Sequence, residues 1–483
     1  MNVSREDVIV SALSCLLAEK LSECEDFSLC EKQGLEKTLE LFCAAYARAL
    51  EALDDAIFDE KDPRFTSSGK EKRHILSTAG LVSINRRRYR SDAGSVYLLD
   101  EAIDLPSRTK VSPQLSHLAA KFALGTSYSE AAHALEYYIS ARLSKMTIAR
   151  ILEQNVALLD EEQALKDSDK VTTPVLDVEA DGCFVPLQRS KAQKAADRRA
   201  GKKRERAYKE VGMFSAYAGK ELVSEKTGRK RRIDALHFAT ISDPKDAWSN
   251  FSSLLCQKYD TSHIFYSNLA CDGDLSYVRG AKYLPGSVSL GYDLHHISPK
   301  IATYLGREVA REVYATMKGL GFNVGFDVLT TYIEHFLEES GDEKYSELLA
   351  FAHKHRQSMK VAFDYNLGTI EGTIAHVIGS RCKRFGGGWG PRLEAVVRLR
   401  AARVSKIEPK LATRKQDMSL PEIVCTRKDA DIESYIAALE QRARKNQTVK
   451  SLRKSLEPEY YHQAPIAHRS KDEGCQSLLR KWA

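Results

Sequence analysis

A change in the hydrophobic pattern at Pro174 constrains the fold of this chain more than any other feature. Before it, apolar residues recur every three or four positions, which is typical of amphipathic helices. After it come short apolar runs with the period of two that strands show. We predict strands at residues 175–187, 211–217, 233–241, 263–271 and 288–292, and a helix at 245–259. Three strands followed by helix, strand, helix and strand indicate a mixed sheet flanked by helices, in the order of a ribonuclease-H-like core.

The sheet pattern does not continue after residue 296, where a long helical block begins. We therefore expect an α+β or α/β protein whose ribonuclease-H-like core is interrupted by an all-helical insertion and preceded by a helical DNA-binding region. The predicted segments are a helical N-terminal arm (1–70), a small β-ribbon (71–110), a helical region with a candidate helix-turn-helix (111–165), the first part of the core (166–296), the helical insertion (297–366), the second part of the core (367–405) and a basic C-terminal region (406–483).

Composition argues against several classes of protein. The 483 residues are 43% hydrophobic, which is enough for at least one large core. No stretch approaches the roughly 20 apolar residues of a membrane span, and the first residues lack the apolar segment of a signal peptide. We expect a cytoplasmic, nucleoid-associated protein with no membrane partner. The ten cysteines include no Cys-x-x-Cys pair, so neither a disulfide framework nor a zinc finger is indicated.

Positive charge is concentrated in one segment. The formal net charge is only +7, but residues 189–232 contain 16 Lys or Arg against 5 Asp or Glu. Such a concentration attracts polyanions, although an ordinary solvated charge run has the same composition. Together with Arg381 of a later helix, the residues that we predict to contact a DNA backbone are Arg189, Lys202, Lys203, Arg204, Arg206, Arg229, Lys230, Arg231 and Arg232.

Two features nearer the N-terminus also permit contact with DNA. A basic run from Arg86 to Arg90 lies on a predicted two-stranded ribbon, where its side chains would either meet phosphates or face solvent. A short helix starting at Ala131, a turn, and a second helix capped by Ser144 resemble a helix-turn-helix, but the same pattern fits any two-helix corner.

Three acidic residues interrupt patterns that packing alone would fill with apolar side chains. Asp181 lies within the first predicted strand, Asp272 ends a later strand, and Glu371 lies on a helix predicted at 367–384. Mg²⁺ prefers carboxylate ligands supplied by separate elements. Two such ions about 3.5–4 Å apart can activate a nucleophile and stabilise the leaving oxygen of a phosphodiester. The three acids therefore predict a site for two Mg²⁺ or Mn²⁺ ions that acts on nucleic acid.

Each acid also has a purely structural interpretation. Asp272 could form an ordinary turn with the glycine that follows it, and Glu371 could pair with Arg381 or a neighbouring Lys. By the period-two rule, one face of the first strand carries three acids and could be a solvated edge: Asp177, Glu179 and Asp181. The metal-site hypothesis requires that Asp181, Asp272 and Glu371 converge in space.

A set of motifs extends this hypothesis. Residues 368–381 read Gly-Thr-Ile-Glu-Gly-Thr-Ile-Ala-His-Val-Ile-Gly-Ser-Arg, and Gly-Trp at 388–389 and Arg-Leu-Arg at 398–400 follow. Upstream stand Glu-Ala-Asp-Gly at 179–182, Asp-Gly at 272–273 and Asp-Leu-His-His at 293–296. In these motifs the chain resembles the ISLre group of bacterial insertion-sequence transposases, which are DDE enzymes akin to Mutator-type transposases. The resemblance extends from about residue 80 to about residue 403.

The resemblance implies that Asp181, Asp272 and Glu371 are catalytic and hold two Mg²⁺ or Mn²⁺ ions, and that Asp293 and His296 support them. It also implies a transposase that cleaves DNA and transfers strands at insertion-sequence ends. The implied partners are double-stranded DNA, as terminal inverted repeats and target DNA, and further copies of the chain in a homo-oligomer on DNA.

The sequence departs from the family pattern at two places. Asp-Leu-Ser-Tyr occupies 274–277, where the family has a small residue and a Trp, and Gly379 stands where Ser is usual. Two other functions therefore stay open: a catalytically inactive or domesticated DNA-binding protein, and a ribonuclease-H-like nuclease that cuts without joining ends.

Overall fold

A computed structural model describes residues 5–21, 26–61, 63–91, 94–139, 142–166, 168–188, 190–201, 207–292, 294–383 and 388–409. The described residues form two compact units. The first contains the described residues up to Ile75 and Ala79–Ile103, and the second contains Leu76–Thr78 and the described residues from Asp104 onward. None of the helices in these ranges has both the length and the hydrophobicity that crossing a bilayer requires.

The first unit combines two helices with a three-stranded sheet. Its elements are α1 (Arg5–Leu21), α2 (Phe27–Glu60), β1 (Thr66–Ser77), β2 (Gly80–Ser91), β3 (Gly94–Val96) and α3 (Leu98–Ala102). The helical start and the pairing of β2 with β3 confirm the sequence predictions. The polar strand β1 was not predicted. The sequence predicts the second strand of the ribbon at residues 96–99, but β3 ends at Val96 because Leu98 and Leu99 begin α3 and are buried there.

Arginines of β2 are paired with acids of the same unit. The ion pairs are Arg86–Asp100 (Nε–Oδ1, 3.2 Å), Arg87–Asp54 (Nη1–Oδ2, 2.9 Å) and Arg88–Glu71 (Nη1–Oε1, 2.9 Å). Asp54 and Asp100 are buried, and Asp100 also pairs with Arg73, so these arginines compensate carboxylates within the unit. These three arginines are engaged within the unit, and contact of this edge with DNA stays a prediction.

The second unit holds the rest of the fold. Its elements are α4 (Pro113–Gly125), α5 (Tyr128–Ile139), α6 (Lys145–Ala157), α7 (Glu161–Lys166), β4 (Val175–Pro186), α8 (Lys191–Arg199), β5 (Tyr208–Tyr217), β6 (Lys220–Ser224), β7 (Arg229–Arg232), β8 (Leu236–Thr240), α9 (Pro244–Lys258), β9 (Tyr266–Cys271), α10 (Leu275–Val278), β10 (Ser287–Tyr292), α11 (Leu294–Leu305), α12 (Arg307–Leu320), α13 (Phe322–Ser340), α14 (Glu343–Asp364), α15 (Ile370–Ile374), a π-helix (Ala375–Lys383) and α16 (Leu393–Val404).

A five-stranded mixed sheet forms the centre of this unit, in the order β10-β9-β4-β5-β8. β9 and β10 run parallel to the central strand β4, whereas β5 is antiparallel to β4 and β8 is antiparallel to β5. All five predicted strands are present. The segment ahead of β8 forms a separate hairpin, β6–β7, which was not predicted.

Aromatic packing fixes α9 on this sheet. The Phe214 ring of β5 lies 4.9 Å from the Trp248 ring and 5.4 Å from the Phe251 ring, measured between centroids. Helices α11–α14 have a core of their own, centred on residues such as Val313, Phe326 and Ile333. The predicted helical insertion between β10 and the helix of Glu371 is therefore confirmed as a continuous helical block.

The predicted two-helix corner is also present, as α5 and α6. Ser144 caps α6, and its side chain accepts a hydrogen bond from the Thr147 backbone amide at 3.1 Å. Ile148, Ile151 and Leu152 of α6 are buried in the core of this unit. The role of this corner in DNA binding stays a prediction.

Candidate metal centre

Asp181 lies on the central strand β4 and is only 4% exposed. Asp177 and Glu179, on the same strand, are 7% and 0% exposed. The interpretation of this face as a solvated acidic edge is therefore wrong. A buried carboxylate is costly unless hydrogen bonds, cations or protonation compensate it. Asp177 accepts a hydrogen bond from Asn268 Nδ2 of β9 at 2.9 Å, but Asp181 Oδ2 is buried and accepts no hydrogen bond from the described residues.

Asp181 forms a cluster with two side chains from distant parts of the sequence, His296 and Glu371. His296 of α11 places its Nε2 atom 3.5 Å from Asp181 Oδ2 and 3.7 Å from Glu371 Oε1 of α15. One ligand atom from each of these three residues lies within 4.8 Å of the other two. Of the three acids predicted to converge, Asp181 and Glu371 thus lie together, with His296 beside both. Glu371 and His296 are about one-third exposed, so the cluster opens to solvent on their side.

Asp272 stands next to this cluster but is not one of the three mutually close residues. It follows β9 directly, and β9 pairs in parallel with β4. The pKa of Asp181 is raised from 3.8 to about 6, mainly by burial and also by the neighbouring charges of Asp272 and Glu371, against the opposing effects of the Gly182 amide and His296. Like charges held this close repel one another unless a cation is present.

Glu179 holds the helix of Glu371 against the strand of Asp181. Its buried carboxylate accepts hydrogen bonds from the Thr369 amide at 3.0 Å, the Thr369 hydroxyl at 2.9 Å and Tyr217 Oη at 2.5 Å. Arg232 of β7 completes the network, with Nη2 3.1 Å from Glu179 Oε2. The sequence placed Glu179 on the face of Asp181, but its role as an anchor for α15 depends on a contact across 190 residues.

The two Asp-Gly dipeptides are explained by close packing at each glycine. A Cβ atom on Gly182 would lie 2.2 Å from Glu210 Oε1 and 2.6 Å from Tyr277 Oη, two atoms that belong to a 2.9 Å hydrogen bond. Gly273 has φ +90° and its Cβ would lie 2.8 Å from the Tyr292 ring. A Cβ at Gly182 would displace the ends of the Glu210 and Tyr277 side chains, and at Gly273 the positive φ itself favours glycine.

The helix of Glu371 differs from the sequence prediction. Only Ile370–Ile374 is α-helical, and Ala375–Lys383 forms a π-helix. Ala375, which an α-helical count places on the buried face, is exposed as a result. Arg400 of α16 stabilises the π-helix by donating to the Val377 carbonyl (2.5 Å), the His376 carbonyl (2.6 Å) and Ser380 Oγ (2.7 Å). π-bulges of this kind occur frequently at functional sites.

The donor set of the cluster fits a divalent cation. Two carboxylates and one imidazole lie within reach of a single ion, and the buried Asp181 Oδ2 atom faces them. Carboxylates suit Mg²⁺ and Mn²⁺, while the imidazole favours a transition metal. Asp272 would supply a further carboxylate at the edge of the cluster.

Comparison with known proteins assigns the chain to a family. A family model described as "Uncharacterised protein family (UPF0236)" matches residues 23–307, which is more than half of the chain. The chain belongs to this family. A UPF0236 protein in the vanSb 3'region of Streptococcus gallolyticus is 24% identical over 380 residues, which cover 74% of this chain and 78% of the relative. The match to the UPF0236 model includes Asp181, Asp272 and His296, whereas Glu371 lies beyond it.

Several predicted site residues of this UPF0236 chain lie outside the described residues. These are Asp293, Arg189, Lys202, Lys203, Arg204 and Arg206. Arg229, Lys230 and Arg231 lie on β7 and are exposed. Arg232, the last residue of β7, is instead half-buried in the Glu179 network.

Arg381 has a packing role in the described structure. Its Nε atom donates to the Ala123 carbonyl at 3.3 Å, and its guanidinium lies 4.6 Å from the centroid of the Trp389 ring. The proposed pairing of Glu371 with Arg381 is therefore wrong, since Glu371 lies beside His296. Trp389 also pairs with Leu187, directly after β4, so it meets the chain at the C-terminal end of the central strand.

Sequence reasoning missed Glu179, Arg400 and the Glu210–Tyr277 pair. Glu179 had a visible signal in its period-two spacing from Asp181. Arg400 stands in the Arg-Leu-Arg motif at 398–400, but its contacts with the π-helix, like that of Tyr277 with Glu210, form at long sequence distance and have no signal in local periodicity.

Proposed function

We propose that this protein is a DDE transposase, which cleaves DNA and transfers strands at the ends of an insertion sequence through one divalent-metal site. The sheet order supports the proposal, because three consecutive antiparallel strands followed by two parallel ones are the arrangement expected of a ribonuclease-H-like core. Family membership alone does not distinguish this function from others, so the proposal depends on the site.

The convergence of Asp181 and Glu371 is the observation that carries the proposal. The two carboxylates come from a central strand and from a helix 190 residues later, and both lie within 4 Å of His296 Nε2. The protein maintains this arrangement although the apposed acids repel one another. Repulsion that is retained in a buried site is best explained by a cation that binds there.

Each residue of the cluster has a defined part in this proposal. Asp181 and Glu371 would hold the ions, and Asp272, directly after β9, would add a further ligand. Two Mg²⁺ or Mn²⁺ ions, when bound, supply activation of the attacking oxygen and stabilisation of the leaving 3′-oxygen. His296, when protonated, offsets the carboxylate charge and is close enough to donate a proton or a hydrogen bond to a phosphate oxygen.

Contacts to DNA are proposed for the basic residues that the structure leaves exposed on β7. Arg229 and Lys230 face solvent and form no ion pair with the described acids. Phosphate contacts by such side chains fix the position of DNA without reading its sequence. Terminal inverted repeats and target DNA are the proposed partners, bound by a homo-oligomer.

A strand-transfer assay tests the function. Purified protein is incubated with DNA that carries the element's own ends and with a target plasmid, with Mg²⁺, with Mn²⁺, or with a chelator. We expect metal-dependent cleavage and joined products from the wild type and none from Glu371→Gln, which keeps its size but loses a charge. Glu338→Gln, an exposed acid of α13, is the matched control.

The same assay separates the alternatives. Cleavage without joined products would identify a nuclease on the same fold. Specific DNA binding by both wild type and Glu371→Gln, with no metal-dependent nicking by either, would identify a non-catalytic DNA-binding protein. Terminal inverted repeats with short target duplications beside the gene would favour transposition independently.

A further inference from the structure

A large basic cavity lies on the second unit beside the helix of Glu371. Its volume is about 1330 Å³, and its wall is formed by the β6–β7 hairpin, the C-terminal ends of α9 and α16, Lys318 of α12 and residues of α15 and the π-helix. Eight Lys or Arg side chains line it, against two acids. A volume above the roughly 300–1,000 Å³ of small-molecule sites indicates a longer ligand.

The acids of the cavity do not neutralise its charge. Glu221 is paired with Arg231, whose Nε atom lies 2.6 Å away. Asp234 lies near Lys258 and raises its pKa, although burial of that lysine lowers the pKa overall. Among the described residues, no acid lies within ion-pair distance of four of the lining side chains: Arg229, Lys230, Lys318 and Lys406. These four cations come from three different parts of the sequence and face one space.

The chemistry of the wall favours a phosphodiester chain. Cations from several elements are combined with the neutral donors of Thr373 and His376, and few large apolar side chains are present. A protein segment would need apolar anchors in such a groove. Repeated phosphates need spaced Lys and Arg side chains together with neutral donors.

Arg232 connects this cavity to Glu371. The residue ends β7, whose exposed Arg229 and Lys230 line the cavity. Its Nη1 atom donates to Thr373 Oγ1 at 2.6 Å and its Nη2 atom donates to Thr369 Oγ1 at 2.7 Å. These threonines stand two residues after and two residues before Glu371. A shift of β7 would therefore be transmitted to both sides of the turn that carries the proposed metal ligand.

We propose that the basic cavity binds the phosphates of one nucleic-acid strand and that Arg232 couples its occupancy to the position of Glu371. Arg232 is a positioning residue, because it acts through Thr369, Thr373 and Glu179. The inference rests on the proposed function and extends it. The strand is held on the face of the Glu371 helix lined by Gly372, Thr373 and His376, and engagement there adjusts the metal site.

Binding without metal tests the cavity. The full chain is titrated onto a fluorescent 12-nucleotide single strand in chelator, over a series of salt concentrations. We expect Lys230→Ala and Lys406→Ala each to weaken binding about threefold to tenfold and to reduce the salt slope by about 0.7 per lost phosphate contact. Lys226→Ala is the matched control, since Lys226 lies in the turn of the same hairpin but does not line the cavity.

Three outcomes of this titration have distinct meanings. Equal losses in the control and the cavity variants, or no loss in any, would overturn the cavity as a binding site. Displacement of the oligonucleotide by a poly-glutamate peptide at equal charge, but not by tripolyphosphate, would show that the cavity takes an acidic protein segment instead. No binding of any DNA by the wild type at low salt would overturn the proposed function itself.

Mn²⁺ affinity tests the coupling. It is measured by calorimetry for wild type, Arg232→Gln and Arg232→Lys, with and without the oligonucleotide. We expect the oligonucleotide to change Mn²⁺ affinity at least fivefold in the wild type, because binding coupling is reciprocal. Arg232→Gln should abolish this change and Arg232→Lys should restore part of it. Lys230→Ala should keep the Mn²⁺ affinity of the free protein but reduce the change.

A purely structural role for Arg232 gives a different result. Arg232→Gln would then bind Mn²⁺ more weakly to the same extent with and without the oligonucleotide, and the coupling would persist. That result, or an unchanged Mn²⁺ affinity on adding oligonucleotide to the wild type, would overturn the coupling while leaving the transposase proposal standing.

Discussion

At the scale of single residues, Asp181 is a buried carboxylate that its surroundings do not fully compensate. It sits on a central strand, its Oδ2 atom accepts no hydrogen bond from the described residues, and two further acids lie close by. Apolar side chains would stabilise this position better in the absence of a ligand. Asp181 therefore lowers the folding stability of the metal-free protein, and a bound cation would compensate this loss.

The first prediction concerns the effect of Asp181 on the pH dependence of folding stability. Burial raises the pKa of Asp181 from 3.8 to about 6, so folding of the metal-free wild type loses stability as pH rises through this interval. Asp181→Asn should be as stable as wild type below pH 4 and more stable, by up to about 3 kcal/mol, above pH 6. Urea unfolding in chelator at pH 4, 5, 6 and 8 measures the difference.

The effect of added divalent metal on the melting temperature provides a second test of the same account. Mg²⁺ or Mn²⁺ should raise the melting temperature of the wild type at pH 8 and leave that of Asp181→Asn unchanged, because only the wild type retains the full ligand set. Glu338→Gln serves as the control for loss of an exposed charge. A variant that is less stable than wild type at pH 8 would contradict the account of Asp181 as a destabilising buried charge.

The second prediction concerns Gly182. Its Cβ position is occupied by Glu210 Oε1 and Tyr277 Oη, so Gly182→Ala must break or displace their hydrogen bond. We expect a loss of about 1–3 kcal/mol in the free energy of unfolding, as for overpacked cores. Gly319→Ala, where the Cβ would have open space in α12, should be neutral or stabilising by up to about 1 kcal/mol. Equal effects of the two substitutions would refute the steric explanation.

At the scale of elements, the π-helix after Glu371 is the main departure from regular structure. A π-helix leaves carbonyl groups in positions that its own backbone does not satisfy well. Arg400 reaches from α16 to the Val377 and His376 carbonyls and also donates to the Leu124 carbonyl of α4. One guanidinium thus connects the helix of Glu371 to two neighbouring helices.

The third prediction follows from these bonds. Arg400→Met keeps the apolar stem but removes the donors, and it should lower the free energy of unfolding by about 3 kcal/mol because buried carbonyls lose their partners. Backbone amides of the π-helix should also exchange faster with deuterium. Arg403→Met, on the exposed side of α16, is the matched control and should have little effect. Unchanged exchange in Arg400→Met would contradict this role.

At the scale of the whole molecule, uneven charge matters more than net charge. The formal net charge of the chain is only +7, yet residues 189–232 contain 16 basic residues against 5 acidic ones. Part of that segment lines the basic cavity. Paired arginines such as Arg87 and Arg232 contribute to the total without being available to a ligand. Exposed, unpaired cations determine the attraction of a polyanion.

The fourth prediction is a steep dependence of DNA affinity on salt. If five phosphates are contacted, affinity should fall by about 500-fold between about 50 and 200 mM salt. Glu371→Gln should show the same slope, because the metal ligand does not provide the attraction. A gel-shift series at fixed pH in chelator measures both proteins. A flat salt dependence would contradict the assignment of the basic residues to the DNA backbone.

Element types were largely predictable from sequence because they depend on local periodicity. The five strands, α9, the Ser144 cap and the helical insertion all follow from apolar spacing and capping residues. The polar strand β1, the hairpin β6–β7 and the π-helix were not predictable in this way. β1 pairs with β2, the β6–β7 hairpin is joined to α15 through Arg232, and the π-helix accepts hydrogen bonds from Arg400.

The sequence by itself determined the residue types of the site and the order of strands that carries them. Asp181, Asp272 and Glu371 stood out because a charged side chain broke an apolar pattern. Tertiary structure decided which side chains meet: it brought His296 between Asp181 and Glu371, buried Glu179 as an anchor, and withdrew Arg232 and Arg381 from solvent. The physical reason is that periodicity reports burial of a local face, whereas ion pairs and hydrogen bonds form between atoms whose distance depends on the packing of the whole unit.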